Sequence, residues 1–189
     1  KEEKLKPSLS LKEIYNYNYF NYENKNSSRN IYILGNIFES SFKLINETLP
    51  YTEANIHIIP IFKDSESSII KDIYCSESSQ AGKNIYYYIK YNAPIESSLN
   101  SCNYNNIITE NQRLKSNFDL SKIPLVIFDS GDSVKLSIKE SDNLGKNNLF
   151  NTYLQNSIHI NFNSFNQIES NKDSQKLNQS KNSNKHSSG

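Results

Sequence analysis

Two cysteines, three histidines and a pair of adjacent serines are the side chains here that could do redox, acid–base or nucleophilic chemistry. Cys75 and Cys102 lie 27 positions apart. A working dithiol needs an attacking thiolate with a resolving cysteine nearby, and the CxxC spacing that supplies one is absent. Two readings of the pair stay open: unrelated buried thiols, or one structural disulfide in an exported protein. A bridge closing a loop of that length would restrict the unfolded chain by about 3.5 kcal/mol. Ser40 and Ser41 follow Glu39 at what reads as a helix start. An activated serine needs a base within hydrogen-bond reach. His57 sits between isoleucines and reads as a half-exposed strand residue, and His186 falls in a polar tail. The three residues at 39–41 therefore read as groups that cap or solvate the helix. No His/Cys/Asp/Glu spacing suits a metal, and five scattered glycines cannot make a phosphate cradle. The expectation is no catalytic residue, no metal and no cofactor.

The chain that must position these groups has 189 residues, enough for one domain with a sizeable core. Hydrophobic residues make up 35% and mean hydropathy is −0.71, both low, but the deficit is uneven. Isoleucine, tyrosine and phenylalanine crowd the region from about Tyr15 to Ile168, and the end is Ser, Asn, Lys and Gln. A tail of that composition, residues 166–189, cannot offset its ordering entropy and is expected to be disordered. With a net charge of +1 and no clustered Lys or Arg, nothing points to nucleic acid. No apolar run is long enough to span a membrane. Lys1 follows no Met or apolar leader, which reads as a processed or trimmed chain.

Residues 1–14 are charged and contain Pro7, so they read as a linker or lead-in. Tyr15 to Tyr22 (YNYNYFNY) alternates as a strand with one buried face would, and could instead offer an aromatic patch to a partner. Ile31 to Leu34 is a buried strand. Phe38, Phe42, Ile45 and Leu49 then fall on one helical face, and Pro50 stops the helix. Asn55 to Phe62 is a second strand, with Pro60 marking an edge or an end. This order is a βαβ unit with parallel strands. Ser65 to Tyr91 reads as helical with Cys75 at a break, and Tyr104 to about Lys115 as a further helix. Ser121 to Phe128 and Ser133 to Ile138 flank an Asp/Ser/Gly turn and predict a β-hairpin. A last helix is expected from about Leu144 to Gln155, and a short strand or loose extension over Ile158 to Phe165.

The strand, turn and helix of Ile31–Leu49, the IIKDIYCS run of Ile69–Ser76 and the SKIPLVIFDSGDSV run of Ser121–Val134 together resemble a known domain. It is the thioredoxin-like catalytic domain of DsbC/DsbG-type periplasmic disulfide isomerases. The resemblance covers roughly Tyr19 to Gln155. It implies an α/β thioredoxin-like fold (βαβ, helical insert, β-hairpin, α) over residues 15–160, with a disordered C-terminal tail. It implies a Cys75–Cys102 disulfide, a cis Pro124 beside the site, and a periplasmic or otherwise exported protein. It also places the two reactive cysteines of that family at Phe38 and Ser41, and Ile123 where Thr or Val usually precedes the proline. The frame is kept and the reactive atoms are gone.

What the resemblance implies is therefore a non-catalytic protein that binds a peptide or partner protein in a degenerate groove formed by Phe38, Glu39, Ser40, Ser41, Phe42, Ile123 and Pro124. A weaker likeness, to the TrbC-like pilus-assembly proteins of conjugation systems, offers an alternative: a structural subunit of a secretion or conjugation assembly, with contact through Tyr15–Tyr22. A third reading is a thiol–disulfide oxidoreductase or isomerase that uses Cys75 and Cys102 themselves. The isomerases' dimerisation domain would precede residue 1, so a monomer, or a dimer built another way, is expected.

Overall fold

The computed structural model describes residues 5–97, 102–136 and 149–160, with side chains over residues 150–155 in the last segment. Five strands form one mixed sheet: β1 (Phe20–Tyr22), β2 (Asn30–Gly35), β3 (Asn55–Pro60), β4 (Leu125–Phe128) and β5 (Ser133–Lys135), in the order β1-β3-β2-β4-β5. The helices are α1 (Leu11–Ile14), α2 (Ser40–Thr48), α3 (Ser67–Tyr74), α4 (Ala81–Tyr91), α5 (Asn105–Asn117) and α6 (Leu149–Ile160). β2 and β3 pair in parallel, with Ile31 opposite Ile56 and Ile33 opposite Ile58, so the predicted βαβ unit is present. β1 joins β3, and β4 joins β2, both antiparallel; β4 and β5 make the predicted hairpin.

Successive strand residues point to opposite faces, and both faces of the central strands are buried. Phe20, Ile31, Ile33, Ile56, Ile58, Val126 and Phe128 pack with Phe42, Ile45, Ile73, Ile85 and Phe150 from α2, α3, α4 and α6. Tyr32, Leu34, Ile59, Leu125 and Ile127 pack with Leu9, Ile14, Leu114 and Phe118 from the opposite side. The Cys75–Cys102 disulfide is formed, and it ties the end of α3 to the segment before α5. Cys75 is buried, and neither cysteine is a free thiol.

Several segments differ from the sequence expectation. The aromatic stretch is a strand only over Phe20–Tyr22. The Glu110 carboxylate accepts the Asn18 backbone N–H and the Asn18 side-chain N–H, each at 2.9 Å, and so holds Asn18 on α5 rather than on the ladder. Tyr17, Tyr19, Phe20 and Tyr22 are all buried, so the stretch is core and not a free aromatic patch. Within the expected lead-in, Leu9 and Ile14 are buried against the sheet, and the Pro7 carbonyl accepts the Asp119 N–H. Ser65–Tyr91 breaks into α3 and α4 at the cysteine. Pro60 marks the end of β3, opposite Gly35. There the Asn111 amide continues the ladder: its Oδ1 accepts the Phe62 N–H at 3.2 Å and its Nδ2 donates to the Phe62 carbonyl at 3.0 Å. Residues 158–160, expected as strand or extension, are the last turn of α6. The expected tail (166–189), the start of the last helix at Leu144, and residues 161–165 lie outside the described residues.

Two positions fix the geometry of the insert and the hairpin. A Cβ on Gly82 would lie 2.3 Å from the Asn21 carbonyl oxygen, so only glycine lets α4 rest on the edge of β1. Gly131 turns the β4–β5 hairpin with φ +94, a conformation that side chains disfavour. Beside that turn, Arg29 Nε and Nη2 hold Asp129 Oδ1 and Oδ2 at 2.8–3.2 Å, and Nη1 donates to the Leu154 carbonyl. One guanidinium thus joins β2, the end of β4 and α6.

Candidate functional site

The candidate site lies where β2 ends and α2 begins. Asn36 makes the turn: its Oδ1 accepts the Phe38 N–H at 2.8 Å, its carbonyl accepts the Glu39 N–H, and its Nδ2 donates to Glu66 Oε1. Glu39 occupies the N-cap position with extended backbone and makes no side-chain cap bond, so the expected capping by this group does not occur. The Ser40 and Ser41 N–H groups have no partner among the described residues. Such unpaired donors carry the positive end of the helix dipole.

Across from this turn, the Ile123–Pro124 peptide bond is cis. A Cβ placed on Gly35 would lie 3.4 Å from the Phe42 ring and 3.6 Å from Pro124 Cβ, so Gly35, Phe42 and Pro124 meet at one point. Phe42 is fully buried and Pro124 is buried too. Of the residues the sequence assigns to the groove, these two lie deepest. Glu39 and Ser40 are exposed, and Phe38, Ser41 and Ile123 are half-buried. Phe38 packs edge-on against Tyr88 of α4 with ring centroids 6.2 Å apart. Ile123 leans on the opposite core with Leu125 and Phe118. Sequence reasoning read Gly35-Asn36 as a tight turn and put Tyr88 on a helical face, but counted none of the three among the site residues. The glycine after an apolar strand was visible, whereas Tyr88 joins the site only through the docking of α4.

The backbone at the proline is open on one side. The Pro124 carbonyl accepts the Leu136 N–H at 3.1 Å, while the Ile123 N–H and C=O have no partner among the described residues. Beside them, Lys135 Nζ donates to the Ser121 carbonyl, and the Ser121 N–H donates to Asp119. Hydrogen bonds from Ser121, foremost from its hydroxyl, hold the Asp119 carboxyl below the usual range, with Lys122 and Lys135 adding to the effect.

No base serves the serines. Neither Ser40 nor Ser41 has a side-chain hydrogen bond among the described residues. His57 is not half-exposed but 7% exposed, stacked on Tyr32 at 4.7 Å and met edge-on by Tyr19 at 5.1 Å. Its Nδ1 is 2.6 Å from Asn21 Oδ1 and its Nε2 is 2.9 Å from Asn30 Oδ1. Burial lowers its pKa to about 4, so it is neutral at pH 7. A neutral imidazole donates once, so one of these amides turns its NH2 toward the ring. His159 lies beyond the described side chains and His186 beyond the described residues. Among the described residues no cluster of His, Cys, Asp and Glu could hold a metal, and no helix is long and apolar enough to cross a membrane.

A solved structure of a disulfide interchange protein from Neisseria gonorrhoeae superposes on this chain with a TM-score of 0.51, covering 69% of this chain and 94% of that one. The fold is thioredoxin-like. Sequence identity over the match is 12%, so the likeness extends to architecture only. No protein-family model matches the sequence. No curated protein matches it either. Neither Phe38 nor Ser41 at the start of α2 carries a thiol, and the sole disulfide among the described residues is the bond between Cys75 and Cys102.

Proposed function

We propose that this is an exported, non-catalytic thioredoxin-like protein of the DsbC/DsbG type that holds an extended peptide, or an extended segment of a partner protein, across the cis-proline. The observation that carries this reading is the N–H and C=O of Ile123 beside Pro124, unpaired among the described residues, next to a helix start with no thiol. A donor and an acceptor on one residue match the pattern of an incoming strand, which can add by backbone pairing. Phe38 and Tyr88 give one apolar wall and Ile123 the other. The disulfide supports an oxidising compartment.

Titration of isotope-labelled protein with a panel of extended peptides tests the idea. The Ile123 amide resonance should shift and become protected from solvent exchange on binding. Peptides that bind while the Ile123 amide stays unmoved and unprotected would place the contact elsewhere. A structural subunit of an envelope assembly is the second reading. Its contact cannot use the buried rings of Tyr17–Tyr22, but α4 exposes a stacked pair, Tyr87 and Tyr91, that could serve. Alanine at both tyrosines would then abolish partner capture and leave peptide binding at Ile123 intact.

A further inference from the structure

The segment that carries Ile123 and Pro124 runs from the end of α5 to β4, and one residue in it makes two ties. The Asp119 N–H donates to the Pro7 carbonyl at 2.9 Å, and the Asp119 carboxylate accepts the Ser121 N–H at 2.9 Å. Asp119 therefore joins the arm ahead of α1, residues 5–10, to the turn just before the cis-proline. The side chains follow the same line. Leu9 is 3% exposed and shares a buried cluster with Ile14 and Phe118, and Leu120 and Ile123 pack against that cluster.

The arm is held lightly. Leu9 is its one buried side chain, and Leu5, Lys6, Pro7, Ser8 and Ser10 are exposed. Besides the Pro7 bond it has Lys6 Nζ on the Lys115 carbonyl at 3.1 Å, an exposed contact. α1 is anchored independently of it by Ile14, fully buried, and by the Ser10 carbonyl, which accepts the Glu13 and Ile14 N–H groups. A segment with so few buried contacts opens locally at much lower cost than the whole fold. Each opening removes the Asp119 N–H bond and uncovers the cluster on which Ile123 leans. A binding segment ordered in advance does not spend affinity on becoming ordered, and apparent affinity falls with the fraction of molecules that are competent.

We infer that residues 5–10 are a detachable arm that positions Ser121–Ile123 and so sets the affinity of the groove for an extended peptide. Lifting the arm turns binding down, and a bound peptide holds the arm in place, because coupling between two sites is reciprocal. The inference rests on the groove reading above; Leu9 and Pro7 act through Ile123 and are positioning residues.

The test uses the isotope-labelled full chain and a capped decapeptide of alternating valine and serine. Amide exchange at Asp119 reads the arm, exchange at Ser121 reads the turn, and the Ile123 resonance reads peptide affinity. Leu9→Ala should speed Asp119 exchange by about 30-fold or more, with Ser121 following. It should weaken the peptide by about fivefold or more. Leu9→Met, which keeps the volume, should restore all three. Leu154→Ala, in the cluster on the other face of the sheet, should lower stability and leave peptide affinity alone. In wild type, saturating peptide should slow Asp119 exchange by the factor that arm loss costs in affinity. This measurement needs no variant and decides if Leu9→Ala does not fold. Leu9→Ala with fast Asp119 exchange but unchanged Ser121 exchange and peptide affinity would overturn the inference. So would equal loss of affinity in Leu154→Ala, or peptide bound at Ile123 that leaves Asp119 exchange unmoved. A wild-type Ile123 resonance that neither this peptide nor the panel shifts would instead sink the groove reading, and Ser121 exchange in Leu9→Ala then decides whether the arm orders the turn.

Discussion

Acidification should weaken this protein through His57. The imidazole is 7% exposed, lies between the Tyr32 and Tyr19 rings, and faces only the amides of Asn21 and Asn30. No carboxylate stands against it to hold an imidazolium, so burial dominates and the folded pKa falls to about 4, against 6.5 in the unfolded chain. A folded pKa below the unfolded one means that the unfolded chain takes up the proton first. The contribution is therefore complete above pH 6.5, and it is lost as pH falls toward 4. The full difference corresponds to about 3 kcal/mol, and about 2.5 kcal/mol of it is gone by pH 4.5. Carboxylates titrate in the same range, so the measurement is a difference. Urea unfolding of wild type and His57→Gln at pH 7 and pH 4.5 should show wild type losing about 2.5 kcal/mol more than the variant. Equal losses in the two proteins, or a His57 resonance that titrates near 6.5, would refute the argument. The second result would mean that both amides turn their oxygens to the ring and hold the charged form.

The remaining expectations concern the site and its scaffold. Phe38→Cys with Ser41→Cys should create a dithiol at the α2 start that accelerates insulin reduction while either single variant stays inert; an inactive double variant with both thiols titratable would show that the frame does not activate sulfur. Replacing both Cys75 and Cys102 by Ser should lower unfolding free energy by about 3.5 kcal/mol in denaturant titrations, and an unchanged midpoint would mean the loop is already restrained without the bond. Gly82→Ala should cost about 3 kcal/mol or more, because its Cβ would meet backbone atoms of β1 rather than a movable side chain; a neutral result would place α4 further from the edge.

What the sequence revealed followed the length and regularity of each signal. β2, α2 and β3 were readable because a continuous apolar run, a full helical face and a second run follow in order. The hairpin was readable from Gly131 and its flanking strands, and the Cys75–Cys102 bond and the cis Pro124 came from a family resemblance rather than from spacing. Leu9 and Ile14 were not readable, since two apolar residues fall short of one helical repeat. The Tyr15–Tyr22 alternation was real over Phe20–Tyr22, yet it could not show that Glu110 would take Asn18 off the ladder. His57 looked half-exposed because nothing local says that Tyr19 and Tyr32 close over it. At the site, the sequence could name Phe38, Phe42 and Pro124 but not say which of them are buried. Phe42 is buried and Phe38 half-buried because of how α2 rolls onto Gly35 and where α4 sets Tyr88, and both are tertiary facts.

The Arg29 clamp has a bearing on how the chain is made. Its carboxylate partner lies 100 residues further along the chain, and the Leu154 carbonyl 125. At roughly 5–20 residues per second, synthesis leaves the guanidinium without Asp129 for about 5–20 s. β4, which inserts beside β2, arrives over the same interval, so the central strand stays open along one edge until late in translation. Pairings this distant in sequence are slow to form. The nascent chain thus waits, half assembled, until Asp129 and β4 have been made.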